Sequence, residues 1–298
     1  MTKIGGRPDL PVEIEWPVRE PYPDAANRWE GHRKALIRPE ETWRWATIEQ
    51  RSKYIESTVE RMTKIGSKCP LEFIAQVNFS EMWAAGPLDA DNPKSGIMSI
   101  FYDIEEQHWD YDPHERVGFS ILYYENTQGL LVRRSPPATR VLSPSDQIYP
   151  LICQAEACLT PLPISTVQFR ELGLLDHSTN PLHNWWCNDD YLYSSQNGMD
   201  WKCHHIGGWP NPVQGTCMQI EAALVGGGHY CGTSTPYQTP ELALERTQAA
   251  DWLLLAQIDT DEPGNLEWGD CGQLYVWIRR ADLLLRRFDR AHLTLQSY

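Results

Sequence analysis

The chain has 298 residues, and its 26 basic and 40 acidic residues give it a formal net charge of −14. This acidic balance disfavours nucleic acid and anionic membranes as partners, because both present phosphates that basic patches bind. It favours a basic protein partner, although a well-solvated surface is the more common reason for such a charge. The length allows one large domain or two of ordinary size.

The N-terminal segment MTKIGGRPDLP lacks the apolar core of a signal peptide, and no apolar run in the sequence is long enough to cross a bilayer. We therefore expect a soluble, cytoplasmic protein. In that compartment the eight cysteines are expected to be free thiols. Because the sequence has no CxxC pair, it indicates neither a zinc ribbon nor a redox site. It predicts no cofactor.

The first half starts with an Ile-Gly-Gly-x-Pro stretch at residues 4–8, followed by a Pro-rich segment that predicts a short edge strand. Residues 39–65 predict an amphipathic helix, with an apolar face formed by Ile48, Ile55, Val59 and Met62. The predicted strands of this half are residues 71–78, 96–102, 117–124 and 130–132, the last two as a hairpin.

The second half opens with another Ile-Gly-Gly-x-Pro stretch, at residues 206–210. A threonine, a proline and an acid at residues 239–241 predict the start of a helix that runs to about residue 250. Residues 281–286 predict a second, short helix. The predicted strands of this half are residues 217–224, 252–258, 273–278 and 292–296.

Three blocks recur in the same order in the two halves. Ile4-Gly5-Gly6 matches Ile206-Gly207-Gly208, Ala75-Gln76-Val77 matches Ala256-Gln257-Ile258, and Gly96-Ile97-Met98 matches Gly272-Gln273-Leu274. We therefore predict an α+β fold with an internal duplication, in which mixed or antiparallel sheets have a few helices packed on them. The expected divisions are a first half at 1–140, a linker and irregular region at 141–200, and a second half at 201–298, packed as one globular body.

With these blocks, the sequence resembles the YwqG-like family of bacterial proteins. The resemblance rests on the IGG-x-P stretch at Ile4, LEFIAQVN at Leu71, IGGWPNPVQG at Ile206, and LLLAQID with WGDCGQLYVWIRRADL near the C-terminus. It implies a duplicated α+β fold with mixed sheets. It also implies an association with toxin immunity, because members of that family occur as immunity proteins beside polymorphic or contact-dependent toxins.

Neither glycine pair has the sequence context of a phosphate-binding loop, and the x-Pro that follows each pair favours a tight turn. A calcium loop is a weaker alternative near the C-terminus, because Pro263 and the flanking strands depart from the EF-hand pattern. That pattern would use Asp259, Asp261, Gly264, Asn265, Glu267 and Asp270. The simpler interpretation is that Asp259 and Asp270 accept backbone hydrogen bonds within the turn.

The acidic segment, residues 103–115, is the first candidate binding site. Its residues His108, Asp110, Asp112 and His114 alternate as metal ligands on one strand face would, but Pro113 argues against a strand there, and no metal ligand is predicted. In the sequence its acids oppose only Arg116, so the segment predicts a docking surface for a basic partner. The predicted partner-binding residues are Glu105, Glu106, Trp109, Asp110, Tyr111 and Asp112.

A second cluster of aromatic and acidic residues predicts a further part of such an interface. It consists of Trp185, Trp186, Asp189 and Asp190. No catalytic residue is predicted, because GxSxG, HExxH and kinase motifs do not occur. Cys203 beside two histidines is interpreted as a core cysteine.

These observations favour a non-enzymatic protein. The leading hypothesis is a cytoplasmic immunity protein that binds a cognate toxin, or another basic protein, and blocks its active site. The alternative is a small-ligand or regulatory sensor with its site in a cleft between the two halves, where duplicated folds commonly form one. An enzyme of unknown reaction is a third hypothesis, and the lack of a recognisable catalytic constellation counts against it.

Overall fold

The computed structural model describes residues 1–125, 131–139, 146–160, 162, 204–214 and 218–298. Helices and antiparallel sheets occur together along these residues, which confirms the predicted α+β class. Among the described helices, none is both long enough and apolar enough to cross a membrane.

The first sheet has five strands: β1 (Lys3–Ile4), β5 (Glu72–Asn78), β6 (Ile97–Tyr102), β7 (Phe119–Tyr124) and β9 (Leu151–Ile152). Their order is β7-β6-β5-β1-β9, and all neighbours are antiparallel. Two short antiparallel pairs accompany this sheet. They join β2 (Asp9–Pro11) to β8 (Leu131–Arg133), and β3 (Val18–Arg19) to β4 (Cys69–Pro70).

The second sheet has four strands: β10 (His205–Ile206), β11 (Trp252–Asp259), β12 (Gln273–Arg279) and β13 (His292–Gln296). They lie in that order, again with antiparallel neighbours. The long strands of both sheets agree with the predicted ones to within about two residues, an ordinary uncertainty in strand ends.

The helices pack around these sheets. They are α1 (Ala25–Leu36), α2 (Ile48–Lys64), α3 (Phe79–Ala85), α4 (Met218–Gly226), α5 (Thr235–Gln238), α6 (Ala243–Thr247) and α7 (Arg280–Leu284). Short 3₁₀ helices occur at Glu40–Trp43, Pro113–Gly118, Pro240–Leu242, Gln248–Asp251 and Phe288–Arg290. The predicted helix start at residues 239–241 and the predicted C-terminal helix are confirmed.

The two sheets have equivalent registers. Ile4 lies opposite Ala75 in the first sheet, and Ile206 lies opposite Ala256 in the second. A β-bulge immediately precedes each of these alanines. Such equivalence is what a duplication would produce, although the duplication and the three expected divisions of the chain stay predictions.

The glycine pairs form the tight turns that the sequence predicts. Gly5 and Gly6 have φ angles of 60° and 72°, and Gly207 and Gly208 have φ angles of 71° and 72°. These are left-handed conformations, which glycine adopts with little steric cost. The turns therefore have a structural explanation.

The glutamine of each Ala-Gln block holds the chain that follows the glycine turn. Gln76 and Gln257 are both fully buried. The side-chain oxygen of Gln76 accepts the backbone N–H of Asp9, and that of Gln257 accepts the backbone N–H of Asn211, each at 2.8 Å. A buried amide that is hydrogen-bonded in this way ties two distant segments together.

One hydrophobic cluster packs between the two sheets, with Ile74 and Met98 from the first sheet and Leu255 and Leu274 from the second. The strands alternate, so that their other faces form separate clusters. Phe73 and Phe101 face outward from the first sheet with Leu10, whereas Trp252, Tyr275 and Trp277 face outward from the second sheet with α4. Both sheets are therefore covered on both faces.

Two predicted elements of the sequence are wrong. Residues 217–224 were predicted as a strand, but Met218–Gly226 is a helix whose first eight residues are all buried. A helix that is surrounded by protein has no solvent-facing polar side, so its sequence lacks the periodicity that distinguishes a helix from a strand. The hairpin of residues 117–124 and 130–132 is also wrong, because β7 pairs with β6 and β8 pairs with the distant β2.

The predicted amphipathic helix exists as α2, and Thr47 starts it with a capping box. Its expected apolar face is wrong: the side chains of Ile48 and Val59 are exposed by 88% and 48%. The buried position on this helix is Thr58. The helix packs on α1, a helix that the sequence does not predict.

Candidate functional site

The acidic segment is held against the first helices by internal ion pairs. Asp103 and Arg19 form a buried pair at 2.7 Å, with side chains exposed by 4% and 2%. The same carboxylate accepts the hydroxyl of Tyr22 at 3.0 Å. Glu105 lies 2.7 Å from Lys64 at the end of α2. These contacts attach the segment to β3 and α2.

Arg28 of α1 joins two further acids of this segment. Its guanidinium group lies 3.7 Å from Glu106 and 2.8 Å from Glu115. Glu106 is also 3.1 Å from His32, one turn further along the helix. Both carboxylates are largely buried, with 6% and 13% of the side chain exposed.

Asp110 reaches the second half of the chain. Its side chain is 1% exposed, and its Oδ2 lies 3.0 Å from Nδ1 of His292 in β13. The backbone N–H of Leu293 donates to the same oxygen at 3.3 Å. Asp110 has a φ angle of 62°, an uncommon conformation for a residue other than glycine. The acidic segment is thus attached to both halves of the chain.

The charge of the acidic segment therefore differs from the sequence-based expectation. Arg116 was expected to be the opposing cation, but Glu105, Glu106 and Asp110 have partners in α1, α2 and β13. The correction has a physical reason, since these partners are distant in sequence and a local charge pattern does not reveal them. Partner binding by the segment stays a prediction, with less free charge to support it.

Two aromatic residues of the segment remain accessible. Trp109 is 37% exposed, and its ring stacks on that of Tyr111 with centroids 6.4 Å apart. Burial, followed by the nearby Glu221 carboxylate, raises the pKa of Tyr111 to about 12. Asp112 caps the next 3₁₀ helix by accepting the backbone N–H of His114 at 2.9 Å. The residues predicted as the second part of the interface, Trp185, Trp186, Asp189 and Asp190, lie outside the described residues.

A cleft lies between the two sheets, and it has a volume of about 360 Å³. Its described walls come from β1 and β5 of the first sheet, from β10 and β11 of the second, and from the loop after α3. The apolar part of the lining includes Ile4, Met82, Leu88, Ile206, Trp209 and Ile258. This size and composition lie within the range of sites for small molecules.

The cleft contains a buried polar side chain whose oxygen lacks a hydrogen-bond donor among the described residues. Asn92 is 3% exposed, and its side-chain oxygen has no hydrogen-bond partner among the described residues. Its amide nitrogen donates to the carbonyl of Asp89 at 3.3 Å, which fixes the orientation of the side chain. Leaving a buried acceptor unsatisfied costs about 1–3 kcal/mol, so this oxygen is suited to bind a donor on a ligand.

His204 closes another part of the lining. Its Nδ1 accepts the backbone N–H of Asp259 at 3.0 Å, and its Nε2 lies 3.4 Å from Asp261. Burial lowers the pKa of His204, although the Asp261 carboxylate opposes that shift. The histidine is therefore neutral at physiological pH, because the depressed pKa favours the uncharged ring.

Residues of the segment 153–160 form another part of the lining. The hydroxyl of Thr160 accepts the backbone N–H of Trp209 at 2.8 Å, which attaches this segment to the chain after β10. At the other side, Gly86 lies so close to Ala157 that an added Cβ would be 2.5 Å from it. The sequence predicts a site at the junction of the two halves but none of these residues, because the cleft forms from contacts between segments that are far apart in the chain.

The turn after β11 supports the simpler of the two sequence-based interpretations. Its side chains are engaged in local hydrogen bonds: Asp261 accepts the backbone N–H of Gly264 at 2.7 Å, and Glu267 accepts that of Cys271 at 2.9 Å. Asp259 accepts the side-chain amide of Gln257 at 2.9 Å. The side chains that accept these backbone N–H groups are Asp261 and Glu267, whereas the roles predicted for Asp259 and Asp270 stay predictions.

Comparison with protein families identifies the family of this chain. Residues 2–297 match the model of a domain of unknown function, DUF1963, and the chain therefore belongs to that family. Comparison with curated proteins gives no match. The matched residues include both sheets and the cleft between them, so the family is defined by the two halves together.

Proposed function

We propose that this member of the DUF1963 family is a non-enzymatic binding protein, and that the cleft between its two sheets holds a small ligand. The observation that supports this proposal most is the unpartnered oxygen of Asn92 inside a cleft of about 360 Å³. A preformed apolar site with a few oriented polar groups is the usual design of a small-molecule site. The two sheets contribute opposite walls, so a bound ligand would stabilise their junction.

The lining indicates the chemistry of the ligand. Trp209, Ile206 and Leu88 offer apolar surface, and the Asn92 oxygen offers an acceptor. The neutral ring of His204 adds a polar but uncharged wall. We therefore expect a small molecule that is mainly apolar and has a hydroxyl, amide or amine donor at one end, because such a donor would satisfy the buried oxygen.

Thermal denaturation in the presence of a library of small amphipathic metabolites tests this proposal. A ligand that binds only the folded state raises Tm. We expect at least one such compound to stabilise the wild type, and Leu88→Trp to abolish the response by filling the cleft. The matched control is Leu284→Trp, at a leucine that is 56% exposed on α7. Equal stabilisation of wild type and Leu88→Trp would show that the compound binds elsewhere.

A second proposal is that the protein acts in the cytoplasm as an immunity protein, which binds a toxin or other basic protein and blocks its active site. The resemblance to the YwqG-like family supports it, as do the net charge of −14 and the Trp109–Tyr111 stack, in which Trp109 is exposed. Stacked aromatic residues are common anchors in protein interfaces. The ion-paired acids Glu105, Glu106 and Asp110 contribute less to this proposal than their sequence suggested.

The immunity proposal is tested by capture of the products of neighbouring genes and by rescue of growth when a captured toxin is co-expressed. Trp109→Ala should weaken capture, since it removes the exposed anchor. Trp45→Ala is the control, because Trp45 is 66% exposed but lies before α2, outside the acidic segment. Capture of no neighbouring product, or equal capture by both variants and the wild type, would contradict the role given to Trp109.

A further inference from the structure

Three side chains of the acidic segment converge at a point that the cleft does not include. His108, Asp110 and Glu115 each direct one potential ligand atom to it, and these atoms all lie within 4.8 Å of one another. His108 and Asp110 are each 2% exposed, and the side chain of Glu115 is 13% exposed. An imidazole nitrogen with two carboxylate oxygens is a donor set that divalent transition metals bind in proteins.

The hydrogen bonding of these side chains is incomplete. Among the described residues, neither ring nitrogen of His108 has a hydrogen-bond partner, and neither does Oδ1 of Asp110. A neutral imidazole has one donor and one acceptor, and a buried carboxylate oxygen normally accepts a hydrogen bond. Two fully buried side chains in one cluster therefore need a partner, and a bound cation would satisfy both.

The balance of buried charge also favours a cation. The carboxylates of Asp103, Glu106, Asp110 and Glu115 face three full cations among the described residues: Arg19 and Arg28 form ion pairs with them, and Arg116 interacts electrostatically with Asp110. His292 contacts Asp110 but is charged only if it is protonated. Uncompensated buried carboxylates are costly, so a divalent ion would offset the excess negative charge.

The surroundings hold the histidine and the aspartate in position. The His108 ring lies 4.9 Å from the ring of Tyr102 and 6.1 Å from that of Phe119, and it abuts Gly118, where an added Cβ would be 2.1 Å from Nε2. The second oxygen of Asp110 is fixed by Nδ1 of His292 at 3.0 Å. Contacts of this kind outside the ligand set orient metal ligands and raise their affinity.

We propose that His108, Asp110 and Glu115 bind one divalent transition-metal ion, with Zn²⁺ as the expected occupant. Zn–N and Zn–O bonds are about 2.0–2.2 Å long, so the three ligand atoms would surround the ion at that distance, with side-chain rotations adjusting them where needed. Mg²⁺ is a poorer occupant because it prefers oxygen ligands. The ion would join the acidic segment to β13, since Asp110 contacts both, and would strengthen the contact between the halves.

In the sequence, His108, Asp110, Asp112 and His114 alternate as metal ligands on one strand face would. In the structure, His108 and Asp110 lie apart from Asp112 and His114. His114 and Asp112 form an exposed pair at 2.8 Å, with 63% and 31% of their side chains accessible. The third ligand is instead Glu115, because the 3₁₀ helix at Pro113–Gly118 turns that side chain back toward His108.

The test uses full-length protein stripped with a chelator and then titrated with Zn²⁺ or Mg²⁺. Metal content after desalting, Zn²⁺ affinity by calorimetry and Tm are measured for the wild type, Glu115→Gln, Asp110→Asn and His114→Gln. We expect one Zn²⁺ per chain, a higher Tm with Zn²⁺ than with Mg²⁺, and binding weakened at least roughly 10- to 100-fold by loss of either carboxylate, as found for perturbed metal sites. His114→Gln should bind as the wild type does.

Two outcomes would overturn the proposal. One is failure of the wild type to retain Zn²⁺ with a defined stoichiometry. The other is equal Zn²⁺ binding by the wild type and Glu115→Gln, which would assign the ion to surface groups. Glu115 is partly accessible, so its replacement is expected to leave a folded chain, which circular dichroism of the metal-free variant verifies. A Co²⁺-loaded wild type should show visible absorption bands that Asp110→Asn changes and His114→Gln leaves alone.

Discussion

The two sheets begin with the same contacts and continue into different connections. In both, a glycine turn follows the first short strand, and a buried glutamine holds the chain beyond it. After β6, the first sheet continues through the acidic segment into β7, whereas after β12 the second continues through the short helix α7 into β13. The equivalent positions form the scaffold. The proposed metal site lies in the acidic segment, which follows β6 of the first sheet, and the proposed ligand site lies between the sheets.

The two sheets use different acceptors for one equivalent backbone hydrogen bond. The backbone N–H of Asn78 donates to the hydroxyl of Thr2 at 3.1 Å, and that of Asp259 donates to His204 Nδ1 at 3.0 Å. The hydrogen bond has the same role at the end of β5 and β11, but its acceptor can be protonated in the second half alone. A chemical property has thus been added to a shared structural contact.

The largest expected effect distinguishes the two connections. Arg19→Met would leave Asp103 buried without its cation and should lower the free energy of unfolding by about 3–5 kcal/mol. Arg280→Met removes the ion pair between α7 and Asp91, in which Arg280 is 46% exposed, and should cost about 0–1 kcal/mol. Urea unfolding measures both. Similar losses would contradict the expectation that the buried Arg19–Asp103 pair contributes more stability than the partly exposed Arg280–Asp91 pair.

The glycine turns should differ in their tolerance of a side chain. Gly207→Ala introduces left-handed strain alone, at roughly 1–2 kcal/mol, because the nearest atom is 3.8 Å from its added Cβ. Gly5→Ala adds overlap of about 1–3 kcal/mol to the same strain, since the Tyr149 carbonyl oxygen would lie 2.6 Å away. Thermal unfolding should rank Gly5→Ala below Gly207→Ala. The reverse order would contradict the close approach of the Tyr149 carbonyl to Gly5.

The buried glutamines should be equivalent. Gln76→Leu and Gln257→Leu each leave a backbone N–H, of Asp9 or Asn211, without its acceptor, which should cost about 1–3 kcal/mol. Gln147→Leu, at an exposed glutamine, is the control. Unfolding in urea checks whether the two buried variants lose similar stability. A large effect in one sheet and none in the other would argue against a shared scaffold.

The smallest expected effect is a dependence on pH from His204. Its folded pKa lies below the unfolded value of about 6.5, so below that pH the unfolded chain binds more protons. The free energy of unfolding therefore falls as pH drops from about 6.5 toward the folded pKa, by at most about 1.4 kcal/mol per pH unit for one proton. Thr2 occupies the equivalent position, so His204→Thr should keep the hydrogen bond.

The pH prediction is measured by urea unfolding of the wild type and His204→Thr across that range. The difference between them should grow as the solution becomes more acidic, because the remaining titrating groups are common to both proteins. Parallel stability curves would contradict the lowered pKa of His204. A variant that is much less stable at every pH would show that threonine does not replace the imidazole as acceptor.

The sequence predicts the paired strands well because each carries its own signal. Residues 71–78 and 252–258 are apolar runs of strand length, and the IGG and Ala-Gln blocks identify their partners. Helix α4 was misassigned because Met218–Gly226 is buried on every side, with Gln219 and Glu221 buried among its apolar residues, so it has no separate polar face. Helix α1 was missed because Asp24 makes no side-chain capping bond and no residue of the helix is buried. Local patterns do not separate these cases.

The candidate sites were less predictable because they depend on long-range contacts. Asp103 pairs with Arg19, and Asp110 with His292, and neither partner is near in sequence. The alternation of His108 and Asp110 drew attention to metal binding, but the third ligand, Glu115, becomes apparent only from the 3₁₀ turn that follows. Asn92 carried no sequence signal, since its role follows from its burial between the sheets.

Hydrogen–deuterium exchange with and without the most stabilising metabolite tests the central claim, that ligand binding occurs between the sheets. The account predicts slower exchange at residues 86–92 and 204–209, which form opposite walls of the cleft, with little change at residues 48–64 of α2. Slower exchange confined to α2 or to the Trp109–Tyr111 stack, with unchanged exchange in both walls, would contradict it.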